Sequence, residues 1–234
     1  MTAPHKEWTV LPHGKLTRLN DRILTVVGDL KMPLLELPRR MSVVRSTTGL
    51  VIFSAIALNE AGMAELEAFG RPAFLVVPSE RHRLDAPSYL RRYPGITVVA
   101  PRAGAEKIGE VVHIDTSTPD FGDPTLRYVE IAGDSALEVH GDDGLTLIVN
   151  DLIGDIHGES GLGGWLLRVM GFAGEDPQVP GPVKLTLGKH KIEVAQQFRR
   201  WAERDDLRRI IVSHGDTIDA DPRGVLRRLA ASID

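Results

Sequence analysis

Cysteine is absent from the 234 residues. That excludes disulfides, thiolate metal cages and a cysteine nucleophile, and it is ordinary in a reducing compartment, so a cytoplasmic location is the expectation. Aromatic residues make up only 5% of the chain and no basic stretch is interleaved with them, which leaves no platform for stacking bases. A formal net charge of -4 and a pI near 6.1 give phosphate backbones no general attraction, so nucleic acid is not expected as a partner. Long apolar runs are missing as well. None approaches membrane-spanning length, and Met1 to Glu7 lacks the basic start and apolar core of a signal peptide, so no membrane association is expected. The patterns Gly-x-Ser-x-Gly, Gly-x-Gly-x-x-Gly and Gly-x-x-x-x-Gly-Lys-Ser/Thr do not occur, which removes the usual serine-hydrolase, dinucleotide and nucleotide signals.

What is present is apolar material for a substantial core, 42% of residues, with 26% charged. The expectation is a soluble single domain over residues 1–234. β-rich runs open the chain at Arg22 to Val27, Met41 to Arg45 and Leu50 to Ile56, with Thr47-Thr48-Gly49 as a hairpin turn. Asn59 then caps a predicted helix from Glu60 to Phe69 that stops at Gly70. Ala73 to Val77 reads as a strand covered on both faces.

Helices near Pro87 to Arg92 and Ala103 to Glu110 alternate with strands at Ile96 to Ala100 and Val111 to Ile114. Hairpins return at Leu126 to Ile131, Ala136 to His140 and Leu145 to Val149, the last two joined by Gly141-Asp142-Asp143-Gly144. An apolar stripe of Ile192, Ala195, Phe198, Trp201 and Ala202 marks a late helix, followed by a strand from Leu207 to Val212 and a closing helix from Arg223 to Ile233. Each half is a meander followed by α/β, so the expected class is mixed α/β: two packed sheets with helices outside. A Gly/Pro-rich insertion at about 154–182 interrupts this, around Trp165 to Met170. It suits a lid or partner contact, or a loop with a short amphipathic helix over the core, and the apolar piece suits a homodimer contact.

Chemistry-bearing residues collect where predicted strands end: Pro78-Ser79-Glu80-Arg81-His82-Arg83-Leu84-Asp85, Ala132-Gly133-Asp134-Ser135, Val149-Asn150-Asp151 and Val212-Ser213-His214-Gly215-Asp216. Their order resembles the metallo-β-lactamase fold superfamily over essentially the whole chain, in a branch whose metal motif is incomplete. The resemblance implies a four-layer αββα sandwich. In the superfamily's hydrolases the stations read His-x-His-x-Asp-His, Gly-His, a bridging Asp and His-Gly. Here His82, Asp151 and His214 match, Glu80 stands for the first His, Leu84 for the Asp, Asp85 for the third His, and Asp134 for the Gly-His histidine.

The resemblance implies one metal position with Glu80, His82 and Asp134, and a second with Asp85 and His214, bridged by Asp151. A set rich in carboxylate with two imidazoles suits harder ions such as manganese, iron or magnesium better than a purely zinc-type histidine cluster does, so the expected cofactor is a divalent metal, manganese, iron or zinc, or none. Buried carboxylates without metal would need compensation, for which Arg45, Arg81 and Arg83 are the candidates; they equally suit a small anionic ligand. Leucine at 84 can neither hold a metal nor orient water. The sequence therefore favours a degenerate, weakly metal-binding or metal-free member that binds a small ligand or a protein. The alternative is a metal-dependent ester or phosphoester hydrolase with an unusual carboxylate-rich site.

Overall fold

In this computed structural model, residues 4–31, 36–157, 161–169, 171 and 173–233 are described. The strands are β1 (Thr17–Arg18), β2 (Ile23–Lys31), β3 (Glu36–Ser46), β4 (Gly49–Phe53), β5 (Pro72–Val76), β6 (Thr97–Val99), β7 (Leu126–Ile131), β8 (Asp134–Gly141), β9 (Gly144–Asp155) and β10 (Leu207–Gly215). The helices are α1 (Glu60–Phe69), α2 (Ala86–Arg92), α3 (Ala105–Gly109), α4 (Gly161–Val169), α5 (Gly181–Leu187), α6 (Lys191–Ala202) and α7 (Pro222–Ala231).

Two sheets result, in the orders β1-β2-β3-β4-β5-β6 and β10-β9-β8-β7. The β4–β5, β5–β6 and β9–β10 pairs are parallel, and the other strand pairs are antiparallel. Three apolar clusters define the layers. Leu50, Ile52, Met63, Leu66, Leu75, Tyr89 and Ile108 seal the first sheet against α1, α2 and α3. Val51, Phe53, Val76 and Val99 meet Leu137, Val139, Ile148 and Ile211 between the sheets. Leu147, Val149, Phe198, Trp201, Leu226 and Leu229 seal the second sheet against α6 and α7. This is a four-layer αββα sandwich, and alternate residues of one strand serve different clusters because a strand's side chains point to opposite faces.

The local signals behave as their chemistry requires. The Asn59 side chain accepts the Gly62 N–H at 2.9 Å and so caps α1. The turn between β3 and β4 closes with Ser46 paired to Gly49, where φ is +142° and a Cβ would stand 2.7 Å from the Arg71 carbonyl, so only glycine fits. Three expectations need correction. Val111 to Ile114 is not a strand: Val112 packs into the core, and Thr116 bridges Val99 instead. Ile192 is 65% exposed, and Val194 takes the inward place on α6. The strands β9 and β10 run beyond Val149 and Val212 to Asp155 and Gly215, because they go on pairing past a bulge, His214 with Gly154 and Gly215 with Asp155.

The insertion contributes α4 and α5. On α4, Leu167 is buried while Trp165 and Val169 are exposed. Met170, with which the expected apolar contact piece ends, lies outside the described residues. No helix among the described residues is long and apolar enough to cross a membrane.

Candidate metal centre

The loop after β5 is drawn onto the second sheet by polar ties. Asn150 Nδ2 donates to Ser79 Oγ at 3.2 Å, and the His82 N–H closes a turn onto the Ser79 carbonyl at 3.1 Å. This turn points His82 inward. Asp151 comes from the continuation of β9, and His214 from the end of β10, which pairs in parallel with β9.

These side chains meet. His82 Nε2 is 3.0 Å from Asp151 Oδ1, His214 Nε2 is 3.2 Å from the same oxygen, and the two Nε2 atoms are 3.2 Å apart. Ligand atoms about 2.1 Å from a common ion lie about 3.0 Å apart at right angles and about 3.4 Å apart at tetrahedral angles. The triangle of donor atoms therefore has the dimensions of one face of a metal's coordination shell.

The remaining bonds of the imidazoles bear on which atoms carry lone pairs. His214 Nδ1 lies 2.7 Å from the Pro38 carbonyl. A carbonyl only accepts, so the proton of neutral His214 is on Nδ1 and the lone pair on Nε2 faces Asp151. His82 Nδ1 lies 2.7 Å from the Ser54 hydroxyl, which can donate or accept. Either the Ser54 O–H donates to Nδ1, and His82 Nε2–H donates to Asp151. Or Nδ1–H donates to Ser54, and the Nε2 lone pair turns to the centre. Burial holds His82 below its ordinary pKa, against the pull of Asp151. Burial also disfavours ionised Asp151, but His82 and His214, where they present Nε2–H to it, outweigh burial and hold that carboxyl well below the usual range. Asp151 Oδ2 is buried without a hydrogen-bond partner, 3.6 Å from the half-exposed Arg81 guanidinium. An imidazole pair with one lone pair fixed inward, an ionised carboxylate and an orphaned oxygen fit a divalent cation.

Glu80, Asp85 and Asp134, the other three carboxylates expected at the metal positions, do not join this group; among the described residues it consists of His82, Asp151 and His214. Asp134 is consumed by protein donors: Oδ1 accepts the Ser135 N–H at 2.6 Å, and Oδ2 accepts Asn150 Nδ2 at 3.3 Å and the Asp151 N–H at 3.1 Å. Burial, with the charge of Asp151 beside it, raises its pKa well above the ordinary value. Asp85 is fully buried and lies 2.7 Å from Arg39 Nη1 and 2.9 Å from His5 Nδ1. Glu80 makes no side-chain hydrogen bond or ion pair among the described residues, and it lines a cleft of about 270 Å³ together with Arg81, Asp134, Asp151, Leu152, Val183 and Leu187.

Of the arginines, only Arg81 is at the centre. Arg45 sits at the far end of β3, over the Phe69 ring at 3.9 Å and bonded to the Phe69 carbonyl at 2.7 Å. Arg83 turns to α3, bonding the Lys107 carbonyl and, at 3.1 Å, Glu110. The arginines that do matter here, Arg39 and Arg40, lie on β3. Arg40 donates to the Gly215 carbonyl at 2.7 Å and to the Val212 carbonyl at 3.2 Å, fixing the strand end that bears His214. Arg39, Arg40 and Ser54 carry no motif of their own. The signal available in the sequence is the doublet Arg39-Arg40 directly before Met41-Ser42-Val43-Val44, a charge pair that a strand entering the core carries only with partners.

No protein-family model matches the sequence, and no curated protein matches it. Solved structures do. The chain is similar to the metallo-β-lactamase FIM-1 from Pseudomonas aeruginosa in its mono-zinc form, at 13% identity and a TM-score of 0.59, covering 95% of this chain and 96% of that one. A metallo-β-lactamase from Erythrobacter litoralis with β-mercaptoethanol in the active site gives 13% identity, a TM-score of 0.63, and coverage of 93% and 96%. The metallo-β-lactamase DIM-1 exposed to ceftazidime gives 11% identity, a TM-score of 0.64, and coverage of 97% and 100%.

Proposed function

On the premise that this chain has the metallo-β-lactamase fold, we propose that it is a metal-dependent hydrolase working with a divalent ion held by His82, Asp151 and His214, on a small ester or phosphoester. The observation that carries this is the triangle of donor atoms, 3.0 to 3.2 Å on each side. Structural zinc sites are closed by four protein ligands, whereas catalytic ones use three and keep a position open. The set of three here is of the second kind, and its oxygen ligand Asp151 lines the cleft.

When bound, the ion would supply a water of lowered pKa and polarise the scissile oxygen. The chain supplies the rest. Glu80, uncommitted and on the cleft wall, accepts the proton of the attacking water. Arg81 offers its guanidinium to an anionic group of the substrate. Leu152, Val183 and Leu187 shape an apolar side of the cleft, and the small volume restricts it to a compact substrate. Zinc, manganese and iron all suit nitrogen and oxygen donors without sulfur.

A second reading, a non-catalytic binder of small ligands, has one observation in its favour: Leu84 is packed in the core at the station where hydrolases of this fold carry an aspartate, so one support of the attacking water is missing.

The test is metal analysis of protein purified without chelator, followed by turnover of nitrophenyl esters and phosphoesters with zinc, manganese or iron. The expected result is metal-dependent turnover, lost in His214→Ala and reduced by about 10²-fold or more in Glu80→Gln with metal content retained. Metal bound at full occupancy with no turnover of any ester would instead support the binder. Less than a tenth of an ion per chain at about 1 μM free metal would remove the hydrolase.

A further inference from the structure

The arrangement implied by the superfamily has two ions, the second held in part at the station of Asp85. That carboxylate is engaged elsewhere. Its side chain is fully buried, with Oδ2 2.7 Å from Arg39 Nη1 and Oδ1 2.9 Å from His5 Nδ1. Arg39 is itself buried, its side chain 8% exposed. The N–H of Arg39 is not aligned for a hydrogen bond to Oδ2, so the contact is an ion pair. The neighbouring residue, Leu84, has no ligand atom.

We infer that the protein holds one metal ion rather than two, because the carboxylate at the second station is already neutralised by the buried guanidinium of Arg39 on β3. This rests on the hydrolase reading above. For a second ion to bind, Asp85 would have to release Arg39 and leave a guanidinium buried without its counter-ion, and a lone buried charge is strongly unfavourable. The orientation of β3 makes the arrangement economical. Successive residues face opposite sides of a strand, so Arg39 serves Asp85 while Arg40 crosses to the carbonyls of Val212 and Gly215. One strand thus neutralises the carboxylate beside α2 and fixes the strand end that carries His214.

Native mass spectrometry and elemental analysis, after equilibration with an excess of Zn²⁺ or Mn²⁺, count the ions directly. The expected count is one per chain. It should stay at one in the double variant Arg39→Met with Asp85→Leu, which replaces the pair by apolar side chains, with affinity within about threefold of the parent. Arg39→Met alone removes the guanidinium, leaves Asp85 with the His5 imidazole 2.9 Å away, and is expected to take a second ion. Two ions in the parent protein overturn this inference and leave the hydrolase reading standing, whereas no ion at all overturns the hydrolase reading and this inference with it. Loss of the ion in the double variant, or a folded Arg39→Met protein that still takes one, also overturns it. If Arg39→Met does not fold, the parent and the double variant decide.

Discussion

The Ser54 hydroxyl lies 2.7 Å from Nδ1 of His82, and the residue that presents it has φ of +58°. A non-glycine residue in the left-handed region carries strain of order 1 kcal/mol, held in place by its surroundings. Ser54 follows β4 directly, and its N–H is anchored to the Val76 carbonyl at 3.1 Å, so its hydroxyl is held at the Nδ1 edge of the His82 ring. Because a hydroxyl can either donate or accept, the same contact serves His82 with its proton on Nε2 and with its lone pair there.

Ser54→Ala is expected to leave the fold intact and weaken metal affinity by about 10- to 100-fold, the usual cost of removing the partner that orients a ligating imidazole. Isothermal titration with zinc measures it. Unchanged affinity would show that the Ser54 contact plays no part in orienting His82.

Metal should stabilise the fold, since the three proposed ligands come from a loop, β9 and β10, and an unfolded chain does not assemble them. With free ion at about 100 times Kd, the gain is about 2.7 kcal/mol. Thermal melts with added metal and with a chelator should differ for the parent protein and coincide for His214→Ala. A metal-induced rise that persists in His214→Ala would place the stabilising ion elsewhere.

Gly215 follows the candidate ligand His214 with φ of +114°, and a Cβ there would stand 1.9 Å from the Asp155 carbonyl oxygen. The overlap is with backbone and cannot be relieved by a rotamer change. Gly215→Ala is expected to cost on the order of 3 kcal/mol or more and to displace His214. Urea denaturation reads the first effect and metal titration the second; near-parental values for both would mean that β10 slides past β9 easily.

Asp155 gives stability a pH dependence. Burial raises its pKa above the ordinary carboxylate value, with His157, 2.8 Å away, opposing. An acid raised in the folded state holds its proton longer there than when unfolded, so its contribution is complete below the unfolded pKa and is lost as pH rises through the folded one. Asp155→Asn, which stays neutral, should therefore gain on the parent protein as pH rises from about 4 to about 7. Melting temperatures across that range test it; a constant difference between the two would exclude Asp155 as the source.

Much of the architecture can be read from the chain because its periodicities change sharply. The alternation of β2 to β4 gives way at Asn59 to a capped helix, and then to the near-continuous apolar strand β5; each signal is local. The centre is readable only in part. His82, Asp151 and His214 stand at motif stations that motif spacing can find, but their partners Ser54, Pro38 and Arg40 sit on strands brought near by packing. The carboxylates mislead for a related reason: residue type does not reveal that Asp134 is occupied by three N–H donors, or that Asp85 faces Arg39. Arg45 likewise reads as near the site because β3 passes it, yet an eleven-residue strand spans roughly 35 Å end to end, and Arg45 is at the wrong end.

The bond from His214 to the Pro38 carbonyl joins the two sheets, since one residue belongs to β3 and the other to β10. The direction of the His214 imidazole, a candidate metal donor, is thereby set by how the two halves of the sandwich rest on each other. Metal affinity in this protein should thus act as a strain gauge for the layer between the sheets. A substitution at Phe53 or Ile211 that shifts one sheet by a fraction of an ångström would register first as weakened binding, before it registers as a loss of fold.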